Sequence, residues 1–226
     1  MDQTTPHQHS ISRLLRDLDS PDNISPWTQA TTMSQPILLT RIQAHLKDLE
    51  QTPSTTTLNA RLCEEATLGL PNAISRTETL VLIQQLSTLL QSIQQPAAPA
   101  VDLLIRLLEP FTFSDVLSFD PPVDFVRGLS LGEGMAEEVM RPFQRLMLGI
   151  LGKATLRASD AAIVATQPEI LQALVRLWLC TADTGVASSA GKVLGDLLRV
   201  DREGSHAGSL GGEGQGLVWK LSLIHI

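Results

Sequence analysis

Tyrosine is absent from this chain, and Phe and Trp bring the aromatic fraction to only 4%. Sheets favour aromatic and β-branched residues, so this scarcity argues against a β-rich fold. Leu, Ala and Gln are abundant instead, which is typical of helices. The hydrophobic fraction of 43% is enough to build a core from 226 residues, and this excludes a wholly disordered chain.

The chain also lacks a cluster of basic residues. Lys and Arg number 17 against 24 Asp and Glu, which gives a formal net charge of −7. Proteins that bind DNA through its phosphates usually carry a basic stripe, because counterion release supplies much of the affinity. Direct DNA binding is therefore disfavoured, although an acidic protein can still join a complex that acts on DNA.

Cysteines and targeting signals are equally scarce. Cys63 and Cys180 lie far apart in predicted helices, and each is expected to be a buried free thiol rather than half of a disulfide. The first residues show no basic segment followed by an apolar core, so no signal peptide is expected, and no apolar run reaches the roughly eighteen residues that a membrane span needs. We therefore expect a cytoplasmic protein, or one that also enters the nucleus.

Apolar residues at helical spacing are the strongest positive signal. One stripe comprises Phe143, Leu146, Met147, Ile150 and Leu151, which share one face of a helix. Further stripes consist of Ile170, Leu174, Leu177 and Trp178, and of Ala190, Val193, Leu194, Leu197 and Leu198. Helices of this kind bury their apolar faces by stacking on neighbours. The sequence therefore predicts an all-α fold, an armadillo/HEAT-like helical-repeat solenoid.

Capping and breaking signals divide the chain into helices. Ser75 and Glu78 have the spacing of a capping box, and Ser10 can cap a short helix over 11–18. Pro26 and the polar residues after it predict a loop, and Pro142 is expected to kink or divide its helix. The other predicted helices cover about 36–50, 57–68, 75–96, 99–110, 135–153, 159–165, 168–179 and 185–199, with a short one starting at Asp120-Pro-Pro-Val.

These signals give the following organisation. Residues 1–33 form a polar N-terminal segment with one short helix, 34–202 the armadillo-like repeats, 203–216 a glycine-rich loop, and 217–226 the start of another helix. The last six residues, 221–226, resemble the translation of an adapter used in sequencing-library preparation. This predicts an N-terminal fragment whose natural sequence diverges after about Lys220; the alternative is a genuine apolar tail.

Two kinds of catalytic motif occur where their chemistry is not expected. Asp183-Thr-Gly185 matches the aspartic-protease tripeptide, but that chemistry needs a second aspartate in a β-rich fold. Asp183 is expected instead to cap the helix that follows. Gly149-Ile-Leu-Gly152-Lys153 and Gly128–Gly134 are incomplete phosphate-binding motifs with no preceding strand.

No metal site is predicted either. Four histidines lie in polar, glycine-rich or terminal segments: His7, His9, His206 and His225. His45 has no second ligand beside it. Cys63 is followed by Glu64 and Glu65, but these side chains point to different sides of one helix. We therefore expect no catalytic residues, no metal and no cofactor, and the partner-binding residues are not assigned.

Four segments carry a family resemblance. They are Phe119-Asp-Pro-Pro-Val-Asp-Phe125, the Pro168–Leu174 segment Pro-Glu-Ile-Leu-Gln-Ala-Leu, the helix from Ala187 to Leu198, and Gly216-Leu-Val-Trp-Lys220. With these segments, the region from about Pro110 to Lys220 resembles the proteasome subunit-five family. Its members are assembly chaperones of the regulatory-particle base, and the fungal branch is also described as a DNA mismatch repair protein of the Hsm type.

The resemblance implies a solenoid that binds the C-terminal domain of one proteasomal ATPase subunit and leaves before the mature particle forms. We therefore expect a non-enzymatic scaffold or assembly chaperone with a protein partner, no direct nucleic acid and no membrane. Carboxylates on its concave face are expected to steer a basic partner. Two alternatives stay open: a factor that acts in DNA mismatch repair through protein partners, and a generic armadillo adaptor with other cargo.

Overall fold

The described part of the chain is helical. A computed structural model describes residues 26–52, 56–93, 95–130 and 137–207, with side chains between residues 36 and 200. Within these ranges there are ten helices and no strand, so the predicted all-α class is confirmed. The helices are α1 (Pro26–Gln51), α2 (Ala60–Gly69), α3 (Arg76–Ser92), α4 (Ala98–Leu108), α5 (Phe113–Leu117), α6 (Phe125–Gly128), α7 (Glu137–Ala154), α8 (Ala158–Ala165), α9 (Pro168–Cys180) and α10 (Thr184–Ala207).

Side-chain hydrogen bonds explain where several helices begin. At the start of α3, Ser75 Oγ accepts the N–H of Glu78 at 3.3 Å, and Glu78 Oε2 accepts the N–H of Ser75 at 2.8 Å. This is the predicted capping box. A second box joins Thr112 and Asp115 and opens the short helix α5, which the sequence pattern does not predict. Asn59 caps α2 in a similar way, by accepting a backbone N–H.

Two predicted starts are wrong. α1 begins at Pro26, so the loop predicted there is helical, and the helix continues through Pro36. Proline is over-represented in the first turn of a helix and also marks loops, which makes Pro26 an ambiguous signal. The short helix predicted from Asp120 begins instead at Phe125. Its cap is Asp124, whose Oδ1 accepts the N–H of Arg127 at 2.9 Å.

The end of α10 also differs from the prediction. α10 continues to Ala207, so residues 203–207 are helical although a glycine-rich loop was predicted from 203. Only one glycine lies among these five residues, and the dense run of glycines follows them. α7 is a single helix that includes Pro142, so Pro142 does not divide it. The predicted helix over 11–18, the rest of the loop and the helix start at 217 lie outside the described residues.

The principal packing contacts join helices that are close together in the chain. α1 packs against α2 and α3, these two helices pack against α4, and α4 packs against α7. α7 also contacts α5, α6, α8 and α10, while α9 contacts α6, α8 and α10. Helices α4, α7 and α10 thus follow one another at intervals of three helices, each in contact with the next. This order is compatible with a helical solenoid.

One contiguous hydrophobic core runs through the described residues. Most predicted inward positions are buried, among them Ile42, Leu46, Leu86, Leu104, Leu146, Ile150, Leu174, Ala190 and Leu197. Two predictions fail at the end of α9. Trp178 is 45% exposed, and Cys180 is exposed rather than buried. The last buried residue of α9 is Leu177, so Trp178 and Cys180 follow the last turn of α9 that packs against the core.

Candidate interaction surface

Asp183, from the protease-like tripeptide, is a structural residue at the start of α10. Its Oδ1 accepts the N–H of Val186 at 2.9 Å, as predicted for a helix cap. Its Oδ2 pairs with Nε of Arg141, on α7, at 2.5 Å. The Val186 N–H, and then the Arg141 charge, hold the pKa of Asp183 below its usual range. These contacts stabilise the ionised form, whereas a proteolytic aspartate shares a proton with a second one.

The glycine-rich segments belong to helices. Gly149 and Gly152 lie inside α7, where nothing is within 4 Å of a Cβ added to either of them. Their backbone N–H groups are engaged by the helix and do not turn toward a ligand. Gly128 ends α6, and a Cβ added there would overlap Cγ of Met147. Close packing of α6 on α7 therefore explains Gly128, while residues 131–134 of that segment lie outside the described part.

His45 holds the start of α2 against α1. Its Nε2 accepts the N–H of Asn59 at 2.9 Å, so the neutral ring is the form that makes this bond. Burial lowers the pKa of His45, and the nearby charge of Asp48 opposes this shift. No three His, Cys, Asp or Glu side chains converge as metal ligands within the described ranges. The side chains of the other histidines lie outside those ranges.

Cys63 is a core residue. It is fully buried, as predicted, and burial, with the charge of Glu64 adding to it, raises the pKa of its thiol to about 11. Glu64 is exposed, and Glu65 pairs with Arg61 at 3.1 Å. Although the charge of Glu64 acts on the thiol, these three side chains do not converge as metal ligands.

Ion pairs connect three helices across one surface. Arg145 of α7 lies 3.8 Å from Asp102 of α4, and Arg141, one turn earlier, pairs with Asp183 at the start of α10. Gly149 is exposed one turn after Arg145 on the same side of α7. We call this surface, defined by Asp102, Arg141, Arg145, Gly149 and Asp183, the charged face. Its carboxylates Asp102 and Asp183 are paired within the chain.

A shallow cleft of about 220 Å³ lies where the end of α4 meets the connection between α7 and α8. Phe111 and Phe113 are buried beneath it, and Leu156 stands at its edge with 79% of its surface exposed. Lys153 and Arg157 also line it. Sites for small organic ligands usually enclose roughly 300–1,000 Å³. The volume of this cleft suits a single side chain better than a substrate.

Lys153 links α7 to the end of α4 at this cleft. Its Nζ donates to the carbonyl oxygen of Glu109 at 3.1 Å. Burial lowers the pKa of Lys153, and the charge of Glu109 opposes this shift. The carboxylate of Glu109 pairs with Arg106 at 2.5 Å. Lys153 is therefore partly desolvated and forms no ion pair with the described side chains.

Asp160 forms part of the wall of the cleft from α8. Only 3% of the residue is exposed, and its Oδ1 accepts a hydrogen bond from Oγ of Ser114 at 2.7 Å. This bond joins α8 to α5, so Asp160 has a clear packing role. Sequence reasoning named neither Asp160 nor Arg157, because the cleft joins segments that are distant in sequence and share no motif. In the sequence, Lys153 stands out only as the end of an incomplete phosphate-binding motif.

A few large apolar side chains remain exposed. Trp178 and Leu179, at the end of α9, are 45% and 66% exposed. The indole of Trp178 lies against Gly191 of α10, where an added Cβ would be 2.8 Å from Nε1. Gly191 thus lets the ring pack flat against α10. Leu68, at the other end of the helix series, is also exposed.

None of the described helices is both long and apolar enough to cross a membrane. The chain has no significant match among protein-family models, curated proteins or solved structures.

Proposed function

We propose that this chain is a non-enzymatic scaffold, an assembly chaperone that binds the C-terminal domain of a proteasomal ATPase subunit while the regulatory-particle base forms. The proposal combines the family resemblance of the sequence with the packing order of the helices. We also propose that the helices form an armadillo-like solenoid. Three successive triplets would then be α2–α4, α5–α7 and α8–α10.

The observation that carries the proposal is the contact series α4–α7–α10. In a solenoid of three-helix units, each third helix packs on the third helix of the next unit. The observed order has this period, and α4 contacts α7 as α7 contacts α10. Such a series presents a long surface, which suits a protein partner rather than a small substrate.

The resembling segments have structural roles that fit this proposal. Phe119, in the connection between α5 and α6, packs edge-to-face on Phe111, with ring centroids 5.5 Å apart. Phe125, at the other end of that segment, packs near Phe113 at 6.1 Å. The segment therefore anchors the middle triplet, in which two helices are very short. These aromatic side chains supply packing that the two short helices, α5 and α6, could not supply alone.

We assign the partner-binding surface to the charged face. The sequence-based expectation was that carboxylates on the concave face steer a basic partner. Asp102 and Asp183 are already paired with arginines, so their charge is largely compensated. Association through this face would then depend on shape and on exchange of ion pairs more than on long-range attraction.

The test is capture of each proteasomal ATPase C-terminal domain by the full chain, with mismatched duplex DNA in parallel. Gly149→Arg places a large side chain in open space on the charged face, and Gln172→Arg adds the same charge at an exposed position of α9. We expect one domain to be captured, G149R to abolish capture, and Q172R to retain it. Capture of DNA in place of any ATPase domain would favour the mismatch-repair alternative.

A further inference from the structure

We propose that the cleft between the end of α4 and the α7–α8 connection binds a carboxylate carried by an apolar segment of a protein partner. Lys153 and Arg157 would hold the carboxylate, and Leu156 would contact the neighbouring apolar side chain. This inference rests on the proposed function, because it names the chemistry that the partner presents. It also adds a second contact region, separate from the charged face.

The two cations of this cleft have no carboxylate partner among the described side chains. Lys153 donates to a backbone carbonyl, and Arg157 makes no side-chain hydrogen bond or ion pair in the described part. Most of the other described arginines form ion pairs within the chain, as Arg76 does with Asp115 at 3.4 Å. In a chain of net charge −7, these two cations without a described ion pair lie in one cleft and are available to an external anion.

The acidic groups of the cleft are engaged in other contacts. Glu109 is held by Arg106, and Asp160 is buried with Ser114 bonded to it. Glu109 is exposed, but Arg106 binds both of its carboxylate oxygens, and Asp160 is buried. Arg157 is therefore the exposed charged group of the cleft that has no described ion-pair partner. Partial burial lowers the pKa of Lys153, so an incoming anion would meet a partly desolvated ammonium group.

The apolar part of the cleft favours a peptide over a free ion. Leu156 is 79% exposed beside Pro110 and the buried ring of Phe111. A partner side chain that covers Leu156 would remove apolar surface from water. The volume of about 220 Å³ accommodates one side chain. A glutamate flanked by leucines therefore matches the cleft in charge, in size and in its apolar edge.

The test uses the full chain and a fluorescein-labelled peptide, Gly-Ser-Leu-Glu-Leu-Ser-Gly, with the Gln-containing peptide as its matched control. Fluorescence anisotropy gives the affinity, and amide chemical shifts locate the site. We expect the Glu peptide to bind about tenfold more tightly than the Gln peptide, with shifts centred on residues 110–113 and 153–157. A charge-assisted hydrogen bond accounts for a factor of that order.

Variants separate the cleft from general electrostatics. Arg157→Gln alters an exposed side chain that has no described partner, so the fold should be kept; circular dichroism checks this. R157Q should weaken binding of the Glu peptide severalfold, and K153Q/R157Q by about tenfold or more. K47Q/K192Q removes two exposed cations elsewhere and should leave the affinity within about a factor of two.

Several results would overturn the proposal. They are equal binding of the two peptides, no binding of either, or an unchanged affinity for the Glu peptide in R157Q. Binding of inorganic phosphate at the cleft without binding of the Glu peptide would also reject a carboxylate ligand. A different result would contradict the proposed function alone: the Glu peptide would bind specifically at the cleft, but no ATPase domain would be captured.

Discussion

Arg141 of α7 pairs with Asp183, the residue before α10, at 2.5 Å, while the other oxygen of that carboxylate caps α10. One side chain thus fixes both the start of a helix and its position on the preceding long helix. Asp183, from the protease-like tripeptide, therefore connects α7 to α10.

Asp183→Ala should lower the urea midpoint of unfolding, and Asp183→Asn should lower it by less. Asparagine caps helices about as well as aspartate, so D183N loses only the ion pair with the partly exposed Arg141. The pKa of Asp183 is lowered in the folded state, so its charge stabilises the fold above the usual aspartate range and less as the pH falls. Equal midpoints for D183A and D183N at neutral pH would contradict the capping role.

His45 should make the fold less stable in mild acid. Its pKa is lowered in the folded state from the usual 6.5, so the unfolded chain binds the proton more readily, and stability declines as the pH falls through that range. Protonation also removes the lone pair that accepts the N–H of Asn59. The decrease in melting temperature between pH 7.5 and 5.5 should be smaller in His45→Gln than in the wild type. An identical decrease in both proteins would show that His45 does not cause it.

The two cysteines should react with thiol reagents at very different rates. Cys180 is exposed, whereas Cys63 is buried and the pKa of its thiol is about 11. Because the thiolate is the reactive form, we expect a single labelled thiol in the native protein and a second only after denaturation. Peptide mass spectrometry after alkylation identifies the site. Labelling of Cys63 under native conditions would indicate local opening of α2.

Two glycine substitutions should have opposite effects on the free energy of unfolding. Gly149→Ala adds a methyl group to open space within α7 and should stabilise the fold by about 0.5–1 kcal/mol. Gly128→Ala would force Met147 to move and should destabilise it by about 1–3 kcal/mol. Chemical denaturation of both variants measures the difference. A neutral or stabilising G128A would mean that α6 does not pack closely on α7.

Features that depend on neighbouring residues in the sequence were the ones that could be predicted. The capping box at Ser75 and the cap at Asp183 depend on side chains three residues from the groups they bind, so their patterns are visible in the sequence. The five-residue helix α5 was missed because it is too short to show a hydrophobic period, and its box uses Asp115 where glutamate or glutamine is usual. The existence of most longer helices followed from their apolar spacing.

Exposure and the cleft could not be predicted in this way. Trp178 fits the apolar stripe of α9 perfectly well, yet its exposure depends on which helices lie nearby. At the cleft, the ammonium group of Lys153 donates a hydrogen bond to the backbone carbonyl of Glu109, which is distant in sequence. No residue pattern encodes a contact of that kind, because every residue has the same carbonyl group.

The packing order of the helices also has a kinetic consequence. Helices in contact are no more than three helices apart in the chain for all the principal contacts between described elements. The relative contact order is then low, and little loop-closure entropy is lost before native contacts form. Folding should accordingly be fast for a chain of this length, and it should be able to begin around α4 or around α10 independently.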